Sequence, residues 1–362
     1  MLRFGELLNS NYSNHRNFNI QEIYPVSVFR KICPIVKLRK WAAYVDKYLL
    51  FPKRLKLNLI SRKDQVQLIH IIDHSNSIYL PMLNHLTEAK KIITCHDLIA
   101  IRTAKGDFAQ APKTSKSGVH LQNLISDSLR FADYYACDSK QTLEDLNRLI
   151  PLSKEKSSII NLGTETDSST ISEKKDLSKI LLFDPLNANF LLHVGSAAWY
   201  KNRNAVFRAF IHAQTSLPEL NLKLVLVGPY PQKEELDDHL TNWIQSNPSA
   251  IHSLQNLPEN TLDELYKYAK ALVFPSFIEG FGWPPLEASI RGCPVITTRT
   301  GAIADLLGNY PKYVEAENQV SIDQEVVQAL QVPSSNQRAI SLPSHEDCRR
   351  EYFNLYEQMM TN

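Results

Sequence analysis

Through the middle of the chain, short unbroken apolar runs alternate with segments whose apolar positions recur at helical spacing. VQLIHIID (66–73), KIITCHDL (91–98), DYYACDS (133–139) and SSIINLG (157–163) predict strands, since such runs, bounded by polar residues, suit strands covered on both faces. SIYLPMLNHL, GVHLQNLISDSLRFA and KQTLEDLNRLI, between or after them, carry the helical period. TETDSSTISEKKDLSK (164–179) has almost no apolar residue and predicts a linker. The alternation then restarts with strands FLLHVG (190–195), LKLVLVG (222–228), ALVFPS (271–276) and PVITT (294–298), separated by helices such as NAVFRAFIHAQ and TLDELYKYAK. Strand and helix in strict turn point to parallel α/β sheets.

The expected organisation is two α/β domains, residues 1–164 and 165–344, followed by a closing helix in 345–362 that packs back on the first domain. The start of the chain is less regular. MLRFGELLNSN predicts a helix, and FNIQEIYPVS (18–27) is the first strand candidate. From Arg30 to Lys63 there are eleven Lys or Arg and one acid, Asp46. Within that stretch Trp41, Tyr44, Val45, Tyr48 and Leu49 fall at helical spacing, and Pro52 is expected to stop the helix. A basic amphipathic helix of this kind lies on an anionic membrane or packs on its own domain with its charges solvated.

Composition narrows the class. A length of 362 residues suits two domains, and 43% hydrophobic with 22% charged residues is ordinary for a soluble globular protein. A formal net charge of +2 carries no nucleic-acid signal. Five cysteines without a CxxC pair indicate neither a zinc site nor a disulfide framework. No apolar run has the length of a membrane span and no signal-peptide core is present, so a cytoplasmic location is expected.

FPSFIEGFGWPPLEASIRGCPVI (274–296) holds the chemistry of most interest. A buried strand leads into a loop, and Pro284 with Pro285 marks the first turn of a helix. Backbone N–H groups and the positive helix end face that loop. Gly280 and Gly282 leave room for an anionic ligand to approach the main chain. Glu287, placed in the first helical turn, suits two ribose hydroxyls, and Glu279 stands on the other side of the same opening. Either glutamate alone reads as a helix-dipole or surface acid; together, around this loop, they indicate a phosphate–sugar site. HVGSAAWYKNRNAVFRAF repeats the design, with Lys201, Asn202 and Arg203 at a helix start where cations suit a diphosphate.

These motifs resemble the retaining glycosyltransferases of family 4, the group 1 glycosyl transferases. The E-x7-E spacing of Glu279 and Glu287, the VGS…YKN turn and PVITTRTGAIADLLG carry the likeness in the second half. IHIIDHSNSIYLP, ITCHDLIAIR, ADYYACDSKQTLEDL and IINLGTE carry it in the first. The resemblance implies two Rossmann-like domains facing across a cleft, the GT-B architecture, and a nucleotide-sugar donor linked to UDP or GDP. It implies that Glu287 holds the ribose, that Glu279 holds the donor sugar, and that Lys201 with Arg203 neutralises the diphosphate. Gly195, Asn202, Gly280, Phe281 and Gly282 would complete the donor side, with Leu257 at the base. His96 would face the reacting sugar; its plain alternative is a core histidine. His74, Asp97, Asn161 and Gly163 would belong to the acceptor side or the hinge.

No Asp-x-Asp pair occurs, so no metal site or cofactor is expected and metal-independent transfer follows. Neither a GxGxxG dinucleotide fingerprint nor a P-loop is present. The acceptor expected is a glycan or glycolipid in surface polysaccharide synthesis, with a membrane contact through residues 30–63. The family's first strand and its glycine loop are expected to be missing here. That leaves an alternative: a truncated or non-catalytic homologue that binds nucleotide or acts as a scaffold.

Overall fold

Two parallel sheets organise the computed structural model, which describes residues 2–9, 18–35, 38–62, 65–151, 154–164, 183, 188–231, 236–331 and 340–361. The 164–179 segment lies outside the described residues save for Thr164.

Helix α1 (Leu2–Asn9) opens the chain, and residues 18–27 form no strand. Short α2 (Phe29–Ile32) packs on α3 (Arg39–Val45). Pro52 does not end the helix that follows. A π-helical turn, Asp46–Leu50, runs from α3 straight into α4 (Phe51–Ile60), with the Phe51 N–H reaching back to the Asp46 carbonyl. Pro52 thus sits in the first turn of α4, where its missing N–H leaves no donor unmet.

The first sheet runs β1 (Leu68–Ile71), β2 (Lys90–Cys95), β3 (Tyr134–Cys137) and β4 (Ser157–Ile159), in that order across the sheet. Its helices are α5 (Leu80–Leu86), α6 (Ile99–Lys105), α7 (Lys116–Leu129) and α8 (Lys140–Leu149). β1 pairs only with β2 among the described residues.

The second sheet contains β5 (Phe190–Val194), β6 (Lys223–Val227), β7 (Ile251–Leu254), β8 (Ala271–Phe274), β9 (Val295–Thr297) and β10 (Lys312–Tyr313). Its spatial order is β10-β9-β8-β5-β6-β7. Helices α9 (Arg203–Ser216), α10 (Asp238–Ser246), α11 (Glu259–Tyr268), α12 (Trp283–Ile290), α13 (Ile303–Leu307) and α14 (Gln319–Gln331) complete that Rossmann-like unit. Strands β7 and β10 carry too little apolar pattern to be foreseen. The chain order reverses between β5 and β8, and in such sheets the crevice at that reversal is the ligand site.

After the second sheet the chain returns. Thr164 donates its N–H to the Pro343 carbonyl at 2.8 Å, so the outgoing and returning crossings lie side by side. Gly163 has φ of 70°, and an added Cβ there would stand 2.2 Å from the Ser344 carbonyl oxygen. The last helix, α15 (His345–Thr361), then lies on the first domain: the hydroxyls of Tyr352 and Tyr356 bond the side chains of Thr94 (2.9 Å) and His70 (2.6 Å).

Candidate active site

The reversal of strand order puts two loops face to face, 195–202 after β5 and 275–282 after β8. Gly195 ends β5 and donates to the Val227 carbonyl at 3.0 Å. A single 3-10 turn, Trp199–Lys201, follows, and Asn202 closes it in the left-handed conformation at φ 50°. The Asn202 amide donates to the Pro275 and Ala316 carbonyls at 3.1 and 2.8 Å, which ties the two loops together. Asn202 is therefore a brace beneath the site rather than a ligand group.

The brace brings Lys201 onto Glu279. Nζ lies 2.9 and 3.0 Å from the two carboxylate oxygens, with side chains only 13% and 7% exposed. The ring of Phe274 is 4.8 Å from the same ammonium. Burial pushes the Glu279 carboxyl above its usual range; Lys201 pulls it down, and nearby Asp97 adds to the rise.

Glu287 belongs to the second turn of α12, not the first: that helix starts at Trp283, after Gly282 at φ 92°. Its carboxylate accepts from the hydroxyl of buried Tyr266 at 3.1 Å, while Arg291 donates to its carbonyl. Phe281 is buried, packing on Trp283 at 5.0 Å between ring centres, so it supports the loop from below. Arg203 is also buried and donates to the Pro229 carbonyl at 2.7 Å. Leu257 is half-buried against the same core.

The first domain meets this site through Gly280. A Cβ at that position would stand 2.1 Å from the carbonyl oxygen of His96. The space that the glycine leaves is thus filled by the opposite domain, not held open for a ligand. Across the same seam Gly301 donates its N–H to Gln141 at 2.6 Å, and Phe108 packs on Trp199 at 5.1 Å. A cavity of about 520 Å³ lies along this seam, lined from both domains by Arg102, Phe108, Lys140, Arg148, Phe277 and Arg299 among others.

His96 follows β2. Its Nδ1 lies 2.7 Å from Asp138 and its Nε2 2.9 Å from the Ile72 carbonyl. The Ile72 carbonyl can only accept, so Nε2 carries hydrogen, and the His96–Asp138 pair shares a proton across its short contact. Burial, the largest influence, lowers the histidine pKa, but the charge and hydrogen bond of Asp138, the Ile72 carbonyl and Asp73 together raise it above its usual value. Phe4 of α1 meets the ring edge-on at 5.0 Å. Asp97 accepts from the Ile99 N–H at 3.0 Å and starts α6. His74 is buried 3.5 Å from Asp73, and burial lowers its pKa. Asn161 donates to the Asp138 carbonyl at 2.8 Å.

Lys201, Glu279, Gly280 and the His96 backbone therefore converge, with Glu287 in the second turn of the next helix. Asp138 and Tyr266 were missed in the sequence. Asp138 stands at the carboxyl end of β3, where α/β sheets place their site residues, and that position was the available signal.

Residues 176–341 match the model of the family described as glycosyl transferases group 1. The chain is similar to that family over those residues of its second half. O-antigen chain mannosyltransferase B of Escherichia coli is 25% identical over 333 residues, covering 88% of this chain and 81% of the relative. Sucrose-phosphate synthase from Thermosynechococcus elongatus superposes with a TM-score of 0.66 at 19% identity, over 86% of this chain and 77% of the other. Anabaena HepE, solved with UDP and glucose, superposes with a TM-score of 0.65 at 15% identity, over 84% and 82%. The chain thus has the GT-B arrangement of two Rossmann-like domains, with Glu279 in a loop at its strand reversal and Glu287 in the helix that follows.

Proposed function

We propose that this glycosyltransferase moves a sugar, with retention and without a metal ion, from a UDP- or GDP-sugar to a glycan or lipid-linked acceptor during surface polysaccharide synthesis. It works in the cytoplasm, peripherally on the membrane. The observation that carries this reading is the buried Lys201–Glu279 pair at the strand reversal, with Glu287 on the adjoining helix. The O-antigen mannosyltransferase relative and HepE, solved with UDP and glucose, support the substrate class.

In this mechanism Tyr266 holds the Glu287 carboxylate in place and the ribose hydroxyls donate to it. The donor diphosphate draws Lys201 toward itself, which frees Glu279 to accept from sugar hydroxyls. As the anomeric carbon–oxygen bond breaks, negative charge gathers on the departing phosphate, and Lys201 stabilises it in a site from which water is largely excluded. The acceptor hydroxyl oxygen bonds the anomeric carbon on the same face, and its proton passes to a departing phosphate oxygen. His96, bonded to Asp138 and to the Ile72 carbonyl, lines the first-domain wall. The acceptor enters through the seam cavity.

The test is release of nucleoside diphosphate from GDP-mannose and UDP-glucose, with and without EDTA, and with the product's anomeric configuration read by NMR. One donor should turn over, unchanged by EDTA, and Glu287→Ala should weaken its binding. Failure to bind either nucleotide would overturn the reading. A second reading, a nucleotide-binding homologue without turnover, draws on the His96 ring, whose two nitrogens are both bonded within the protein beneath Phe4. Thermal stabilisation by a nucleotide sugar without any release would favour it.

A further inference from the structure

We infer that residues 28–62 form the face by which the protein sits on an anionic lipid bilayer. This gives the peripheral location proposed above a defined partner and relies on the transferase reading only for its purpose. Asp46, the one acid between Arg30 and Lys63, is turned inward. Its carboxylate accepts from the N–H groups of Val28, Phe29 and Arg30 at 3.1, 2.9 and 3.0 Å. The three bonds hold its carboxyl below the usual range, although burial pushes the other way. What remains on the surface is cationic: Arg30, Lys31, Arg39, Lys53, Arg54, Lys56 and Arg62 are all exposed.

Apolar side chains are interspersed with these charges. Phe51, Leu55 and Leu59 take α4 into the core of the first domain, yet Leu57 is 71% exposed and Ile60 56%. Ile32, Trp41 and Leu49 are exposed by 69, 64 and 61%. One polypeptide stretch therefore presents a tryptophan, long aliphatics and lysines to the outside with no exposed acid, the composition of a helix that lies in a lipid headgroup layer. A second copy of the same face would set seven exposed cations against seven, which repels. An anionic bilayer accepts both the charge and the apolar groups.

The experiment is sedimentation of the full chain with phosphatidylcholine vesicles, with and without phosphatidylglycerol, in the absence of any nucleotide sugar. Binding about tenfold or more tighter to the anionic vesicles, with a blue shift of tryptophan emission and weakening at high salt, is expected. Trp41→Glu should reduce the affinity about tenfold and lose that blue shift. Lys53→Glu/Arg54→Glu/Lys56→Glu should abolish the anionic preference. Melting temperature should stay unchanged in both variants, because the residues are exposed. Equal affinity for both vesicle types, or equal binding by wild type and both variants, would overturn the proposal. So would a lipid-free dimer that Trp41→Glu dissociates, since a second copy would then cover the face. Nucleotide-sugar binding, measured separately on the same variants, should not move; its loss in the wild type would overturn the transferase reading and leave the vesicle result standing.

Discussion

Closed away from water, Lys201 and Glu279 depend on each other. Breaking a buried pair by removing one partner typically costs about 3–5 kcal/mol, because the other charge is left uncompensated. Lys201→Met should therefore lower the melting temperature and abolish turnover together. Lys201→Met/Glu279→Gln removes both charges, and it should recover most of the stability while turnover stays lost. Calorimetry beside a nucleotide-release assay checks this; recovered turnover would remove the pair from the chemistry. The Tyr266 hydroxyl is a milder case. A hydrogen bond to a charged group is worth about 1.5–3 kcal/mol, so Tyr266→Phe should weaken nucleotide binding about tenfold or more by titration calorimetry, with the fold intact. Glu279, Glu287 and Lys201 were legible because each sits at a fixed offset from a strand end. Asp138 was legible only by its place at the end of β3, and Tyr266 not at all, since the partner of each lies 42 or 21 residues away.

At the scale of elements, strand runs and helices were read well wherever burial made the pattern continuous. Misreadings came where one element answered to another. Pro52 predicts a helix end only if the register is α-helical; a π turn before it moves the proline into a first turn. Gly280 looked like space for a ligand, and only the opposing domain reveals the His96 carbonyl that occupies it. Gly280→Ala should then keep both sheets folded but prevent the seam from closing. The expected signature is a larger radius of gyration in X-ray scattering and a fall in turnover greater than the fall in nucleotide affinity. An unchanged radius would mean that the contact is incidental.

Across the whole molecule, buried histidines set the response to acid. Burial depresses His70 from 6.5 to about 3 and His193 from 6.5 to about 4. Both are neutral when folded and titrate near 6.5 when unfolded, so the stability they contribute is present above pH 6.5 and is lost as pH falls toward those lower values. His96 acts in the opposite sense: its raised pKa favours the fold below 6.5, and that share is lost as pH rises through the folded value. With His74 and His252 also depressed, four histidines against one raised give a melting temperature that declines between pH 6.5 and 4. His70→Gln should flatten the decline, and a profile identical to wild type would show that His70 titrates freely.

The return of the chain to its first domain also has a consequence for synthesis. α15 contributes Tyr352 and Tyr356 to the contacts with Thr94 and His70, although residues 188–331 have by then built a complete second unit. On the ribosome the unit that begins first must wait for residues 345–361 before it is covered, while the one that begins second can close ahead of it. Nascent chains arrested after residue 344 should therefore show a protease-resistant second half and a first half that is still cut, the reverse of the usual N-to-C order of domain folding.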